Sequence, residues 1–182
     1  GLYKIGTDSW GMAANGALVW SVTADGFIIR PKNPSFQGYG TDAGGTNATG
    51  DGTASNPLPM PATENWDLAS NYGGGSGGSY LFTAPIAGQY IFWAVSAMNG
   101  LLPAHTTQQL YITSAGGSSQ TVSYDDRTLT AADENPFTAR RVHGGGTVIL
   151  AASDTVRPIV SASGGAKVVD LGGSDYFTGW LP

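Results

Sequence analysis

The side chains that could carry out acid, base or nucleophilic chemistry are few in this sequence. Only His105 and His143 could serve as a conventional base for a Ser or Thr nucleophile, and neither lies in a recognisable catalytic motif. His143 stands before three consecutive glycines, which is typical of an exposed turn, and we interpret His105, which closely follows a proline, in the same way. The chain has no cysteine, so thiol catalysis, disulfides and cysteine-zinc sites are excluded.

Acidic residues occur as two adjacent pairs, Asp125-Asp126 and Asp133-Glu134. A glycosidase needs two carboxylates across a cleft, whereas neighbouring side chains on an extended chain point apart. Oxygen ligands for calcium occur between Asp42 and Asp51, but this segment lacks the EF-hand order of acidic residues and its final Glu. We therefore predict no catalytic residue, assign no metal site and expect no cofactor.

The composition indicates a folded β-protein. Of 182 residues, 28 are Gly and 10 are Pro, which disfavours helices, while 41% hydrophobic and only 12% charged residues argue against disorder. A net charge of -5 has the wrong sign for binding phosphates, so no nucleic-acid partner is expected. Every apolar stretch is far shorter than the roughly 18 residues that span a bilayer, so no membrane insertion is expected either.

Short apolar segments separated by glycine-rich turns predict a run of strands, as in a sandwich or barrel. We interpret 129–142 as a loop or broken turn, because its apolar residues do not keep a helical period, and 38–61 as a long polar loop. The eight clearest strands match the number in a jelly roll. They are predicted at 79–82, 88–98, 108–114, 121–124, 146–151, 155–162, 166–171 and 176–181.

The first thirty residues have a pattern of their own. A strand at 17–23 lies between Asn15-Gly16 and Asp25-Gly26, two dipeptides that favour primed hairpin turns. Pro31 and Pro34 then interrupt any central strand pairing. We predict a β-rich stem or the end of a fibrous shaft at 1–32 and a separate head domain at 33–182.

One segment indicates the fold more specifically than the composition does. The residues from Phe82 to Phe92, FTAPIAGQYIF, resemble the signature Phe-Thr-x-Pro-x-x-Gly-x-Tyr-x-Phe of the globular head domain of complement C1q and its relatives. Tyr90 and Phe92 share one face of the predicted strand, so their large rings are expected in the core. Seven residues of the resemblance are predicted to be structural: Phe82, Pro85, Gly88, Tyr90, Phe92, Phe177 and Gly179. Further similar elements are Asn33-Pro34-Ser35-Phe36, Asn71, Tyr80, Asp154-Thr155-Val156 and Tyr176-Phe177-Thr178-Gly179-Trp180-Leu181.

The resemblance covers residues 33 to 181 and implies an all-β jelly-roll sandwich of C1q/TNF type that assembles as a homotrimer. Because calcium occurs in parts of that family, it also leaves open a weak calcium site between Asp42 and Asp51 or near Asp125 and Asp126. A second, shorter similarity links the segment from Asp25-Gly26 to Phe36 with the ends of fibre and appendage proteins of tailed bacteriophages.

These similarities lead to a functional hypothesis: a non-catalytic trimeric knob on a phage fibre or other virion appendage, which binds a host-surface glycan or protein. Its location would be the virion surface or another extracellular site. Two alternatives stay open: a purely structural trimerisation or capsid-decoration module, and a bacterial extracellular adhesion or lectin domain. Aromatic and planar hydrogen-bonding side chains in or beside predicted loops are the receptor-binding candidates. They are Trp66, Tyr72, Tyr124, Asp125, Asp126 and Arg127.

Overall fold

A computed structural model of the chain describes residues 1–30, 33–40, 45–55, 63–73, 81–115, 121–128, 139–172 and 175–182, with backbone alone at 40, 55, 115, 121–128 and 139. Within these ranges the elements are strands and turns, and the all-β prediction is confirmed. No helix in the described ranges is long and apolar enough to cross a membrane.

The first four strands form an antiparallel meander of their own, which we call the stem sheet. Asn15 and Gly16 both have positive φ, as the primed turn between the second and third strands requires. At Asp25-Gly26 only Gly26 has positive φ, so the prediction of a second primed turn is wrong: the Gly26 N–H instead donates to the Thr23 carbonyl oxygen at 2.9 Å. The strands are β1 (Leu2–Gly6), β2 (Ser9–Ala14), β3 (Ala17–Val22) and β4 (Ile28–Ile29).

The remaining twelve strands make two antiparallel six-stranded sheets. The first sheet has the order β13-β10-β16-β5-β7, with β15 paired to β10, and the second has the order β12-β11-β14-β9-β8, with β6 paired to β14. Successive strands repeatedly change sheet, as in a jelly roll. Their bounds are β5 (Ser35–Gly40), β6 (Ala54–Ser55), β7 (Thr63–Leu68), β8 (Tyr72–Gly73), β9 (Leu81–Thr83), β10 (Gly88–Asn99), β11 (Thr107–Ala115), β12 (Thr121–Thr128), β13 (Ala139–Leu150), β14 (Thr155–Ser163), β15 (Asp170–Leu171) and β16 (Asp175–Trp180).

Six aromatic rings fill the space between the two sheets. Phe36 is fully buried, and its ring stacks on Tyr72 at 4.4 Å and on Phe82 at 5.0 Å between centroids. The stack joins the sheets, because Phe36 lies in the first sheet while Tyr72 and Phe82 lie in the second. The other three rings, also buried, are those of Tyr90, Phe92 and Phe177.

Several predicted boundaries differ from the observed strands. Residues 139–142 belong to β13, although a loop or broken turn was expected there, and residues 129–138 lie outside the described part. The strand expected at 166–171 is limited to β15 and a single bridge between Thr49 and Val169. The expected long loop at 38–61 contains the end of β5, this bridge and β6.

Candidate functional site

His105 is fully buried, so the prediction of an exposed turn histidine is wrong. Its Nδ1 accepts a hydrogen bond from the Leu102 backbone N–H at 2.7 Å, which leaves Nε2–H to donate to the Ala166 carbonyl oxygen at 2.9 Å. The ring packs closely against Gly50 and Gly165, where a Cβ would come within 2.8 and 2.6 Å of Nε2. Both ring nitrogens therefore hold backbone in place, and neither is available as a catalytic base.

His143 is exposed as expected, but it lies within β13 and not in a turn. The glycines that follow it continue the strand, and Gly145 pairs with Trp93 of β10. A side chain at Gly145 would collide with the Trp93 ring, which occupies the space above it. Gly145 is thus explained by the room that the indole needs, and His143 contacts the same indole at 5.6 Å between ring centroids.

The described carboxylates do not gather into a cation site. No group of three or more His, Cys, Asp or Glu that could hold a metal occurs among the described residues. Asp51 accepts a hydrogen bond from the Thr53 backbone N–H at 3.0 Å, and its bonds with Thr53 lower the pKa of this exposed carboxyl. Asp170 accepts a bond from the Asn47 N–H at 2.6 Å. Asp42, Asp133 and Glu134 lie outside the described residues.

The receptor candidates do not share one loop. Tyr72, predicted in or beside a loop, lies in the two-residue strand β8, and its ring is buried in the aromatic stack and is not open to a receptor. Trp66 is exposed but lies in the middle of β7, paired with Gln37 of β5. The other four lie in β12, paired with β11 in the second sheet, where only their backbone is described: Tyr124, Asp125, Asp126 and Arg127.

The side of the first sheet that faces away from the core, here called the outer face, is rich in apolar side chains. On β10 the even-numbered residues from Tyr90 to Met98 point into the core, so Ile91 and Trp93 lie on the outer face. Residues directly opposite in an antiparallel sheet share a face, so the register extends these two positions into cross-strand rows. The rows are Thr147, Ile91, Trp180, Ser35, Leu68 and Gly145, Trp93, Thr178, Gln37, Trp66.

Large apolar residues of this face remain open to solvent. Trp93 is 39% exposed on the interior strand β10, and Ile149, on the edge strand β13, is 66% exposed. Polar side chains are interspersed, including Asn65, whose Nδ2 donates to Gln37 Oε1 at 2.6 Å. The other large exposed residues on this face are Tyr39, Trp66, Leu68 and Trp180. The outer face is therefore an amphipathic surface with several aromatic anchors, which is the usual make-up of a protein interface.

Asp175 is a buried carboxyl that sequence reasoning did not single out. Its exposed fraction is 1%, and its Oδ1 accepts a hydrogen bond from the Ala97 N–H at 2.6 Å. Burial raises its pKa to about 6, because desolvation outweighs the stabilising N–H bond. The Ser96 hydroxyl lies beside this carboxylate without reaching hydrogen-bond geometry, and Asp175 Oδ2 also has no partner. Its position at the first residue of β16 gave no sequence signal of burial.

Solved structures with the same architecture define the class of fold. The globular domain of zebrafish complement 1qA matches with a TM-score of 0.53 and 18% identity, covering 81% of this chain and 96% of that one. Murine APRIL at pH 8.0 matches with a TM-score of 0.56 and 10% identity, and at pH 5.0 with 0.57 and 8%; each covers 83% of this chain and 100% of the other. The chain therefore has a C1q/TNF-type jelly-roll fold, and this prediction is confirmed.

Sequence comparison adds no family assignment. No protein-family model matches the chain, and no curated protein sequence does. At 8 to 18% identity, the similarity to the solved structures concerns the fold alone.

Proposed function

We propose that the head is a non-catalytic domain that forms a homotrimer through the outer face and terminates a phage fibre or another virion appendage. In this role it holds three chains together and binds a host-surface glycan or protein. The fold shared with the complement 1qA globular domain and APRIL supports a head domain of this type. The sequence similarity to phage appendage ends supports a position on the virion surface.

The observation that carries the proposal is the exposure of large apolar residues on the outer face. Monomeric soluble proteins rarely expose wide apolar patches, and a sheet face that stays in water normally carries polar residues. Ile149 lies on the edge strand β13, Trp93 and Trp180 lie on the interior strands β10 and β16, and Trp66 lies on the opposite edge strand β7. Packing of this face against other copies would bury these rings without any change of fold.

The position of Trp66 changes its proposed role. It shares a cross-strand row with Trp93, so its ring belongs to the self-association surface and not to a receptor site. Receptor contact is better assigned to β12, because the second sheet lies on the other side of the core and would face away from the trimer axis. The remaining receptor candidates are Tyr124, Asp125, Asp126 and Arg127.

Native mass in solution tests the trimer directly. Three chains of 18.6 kDa have a mass three times larger, 55.8 kDa, which light scattering after size exclusion resolves from a monomer. We expect the wild type at the trimer mass and Trp93→Glu at the monomer mass, because the substitution places a charge on an interior strand of the outer face. Leu102→Glu is the matched control, since Leu102 is similarly exposed outside this face. A monomeric wild type would refute the proposal.

The strongest alternative is a structural trimerisation or capsid-decoration module without receptor binding. Two of the aromatic receptor-binding candidates favour it, because Tyr72 lies in the core and Trp66 lies on the outer face. A bacterial extracellular adhesion or lectin domain would use the same fold. Labelled trimer applied to a panel of bacterial strains and to a glycan array separates these roles, since only a recognition domain binds a subset of them.

A further inference from the structure

The stem sheet leaves most of its apolar side chains in solvent on both faces. On one face, the register aligns Leu2 with Met12 and Trp20, and Trp10 with Val22 and Ile28. Nine large apolar residues at 1–30 are exposed, including Trp10 at 50% and Phe27 at 69%. The other seven are Leu2, Tyr3, Ile5, Met12, Val19, Ile28 and Ile29.

The opposite face is apolar as well. Gly11 is buried on this face beneath Ile5 and Leu18, and Tyr3 and Ile29 lie in the same cross-strand row as Gly11. An antiparallel sheet that is solvated on one side alternates apolar and polar residues, and this sheet does not. Neither face therefore has the character of a solvent-facing surface.

The stem sheet is also too small to be stable by itself. Folded units below about 40 residues usually need disulfides, metals or oligomerisation, and this one has about 30 residues in a chain without cysteine. None of its strands pairs with a described strand of the head. The missing stabilisation must come from burial of the exposed faces.

We propose that the stem sheet packs against the stem sheets of other copies of this chain and folds as a shared intersubunit layer. The nine exposed residues offer on the order of 1,000 Å² of apolar surface, comparable with the roughly 800 Å² that each partner buries in a stable complex. Charge also points to a second copy as the partner. Residues 1–30 carry two cations, Lys4 and Arg30, and two anions, Asp8 and Asp25, so copies of the stem do not repel one another, whereas residues 31–182 carry the whole net charge of -5.

The connection to the head brings such copies together, and this step rests on the proposed head trimer. β4 ends at Ile29 and β5 begins at Ser35, a strand of the first sheet, so the linking chain spans at most about 20 Å. Three heads joined through the outer face would hold their stems within this distance of a common interface. Association of the stem sheets then takes place within one assembled trimer, where their effective concentration is high.

Amide hydrogen exchange of the 182-residue chain, measured by mass spectrometry together with its native mass, tests the proposal. We expect a wild-type oligomer with protected amides in β1–β3, and exchange there faster by at least roughly tenfold in Trp10→Glu, with the head still protected. Ala24→Glu is the matched control, because it adds the same charge to the stem in an exposed turn outside the strands.

If the stem of Trp10→Glu does not fold, the amide protection and native mass of the wild type still decide the test. Protected stem amides in a monomer would overturn the proposal, because the sheet would then be stable within one chain. Unprotected stem amides in an oligomer would overturn it while leaving the proposed head trimer intact. Unprotected stem amides in a monomer would refute both proposals.

Discussion

At the scale of single residues, the buried side chains of His105 and Asp175 bind backbone groups of the fold. His105 uses both ring nitrogens on backbone groups, and Asp175 accepts a bond from a backbone N–H while its other oxygen is unpartnered. A buried carboxyl with an incomplete set of hydrogen bonds destabilises the protein when it is ionised. This predicts a specific dependence of stability on pH.

Asp175→Asn should stabilise the protein at neutral pH and have little effect near pH 4. The carboxyl titrates near 3.8 when unfolded and near 6 when folded, so between these values only the folded state retains the proton. Wild-type stability therefore falls as pH rises from about 4 to about 6, and the variant lacks this loss, which amounts to on the order of 2–3 kcal/mol. Urea unfolding at fixed protein concentration from pH 4 to pH 8 measures the difference. Equal pH dependence in both proteins would contradict the assignment.

The packing of His105 predicts a second effect. In Gly165→Ala, the added methyl group would lie 2.6 Å from Nε2 of a ring that is held by two hydrogen bonds. We expect a loss of about 1–3 kcal/mol in unfolding free energy, as is typical of overpacking. Gly6→Ala is the control, since the nearest atom to its new methyl group is 3.8 Å away. Equal midpoints in urea for the two variants would show that the ring adapts without cost.

The burial of His105 could not be predicted from neighbouring residues. The local sequence, with a proline and small residues, resembles a surface turn, and the ring becomes buried only through contacts with segments distant in the chain, such as Ala166, 61 residues away. The burial of Tyr72 could not be predicted for the same reason. Its ring finds its place by stacking on Phe36, which lies in the opposite sheet.

At the scale of elements, strand centres follow from the sequence more closely than strand ends. The apolar segments of β10 and β14, separated from their neighbours by turn residues, predicted both strands to within one residue at either end. The beginning of β13 was missed because glycines normally interrupt a strand. In this fold the glycines continue β13. At Gly145 a side chain is absent because the Trp93 ring of the neighbouring strand occupies that space.

Gly145→Ala should therefore weaken both the sheet and the assembly. Its methyl group would collide with the Trp93 ring and lie 2.7 Å from the Phe92 carbonyl oxygen, so the indole must move. We expect a loss of roughly 1–3 kcal/mol in unfolding free energy and a lower proportion of trimer at dilute concentration. Urea unfolding and native mass give the two readouts, with Gly6→Ala again as the control. An unchanged trimer with normal stability would remove Trp93 from the proposed interface.

At the scale of the whole molecule, the sequence predicted the fold because the aromatic residues of its signature lie in the core of the sandwich. Phe82, Tyr90 and Phe92 lie in one cluster that joins the sheets. A short sequence motif therefore indicates how the two sheets pack together. The proposed self-association surface could not be predicted in the same way. Trp66, Trp93 and Trp180 are far apart in sequence and become one surface only through the register of the first sheet.

The proposed trimer and the proposed receptor site would make separate contributions to surface binding, which two variants can distinguish. If three weak sites act together, splitting the trimer with Trp93→Glu should lower apparent affinity for bound bacterial strains or immobilised glycans by about 10²-fold or more, without changing any receptor contact. Arg127→Ala should abolish binding at an unchanged native mass of 55.8 kDa, three times 18.6 kDa. Tight binding by the Trp93→Glu monomer would refute the multivalent mechanism. Full binding by Arg127→Ala would remove Arg127 from the receptor site, and a wild-type trimer that binds no strain or glycan would favour the structural module.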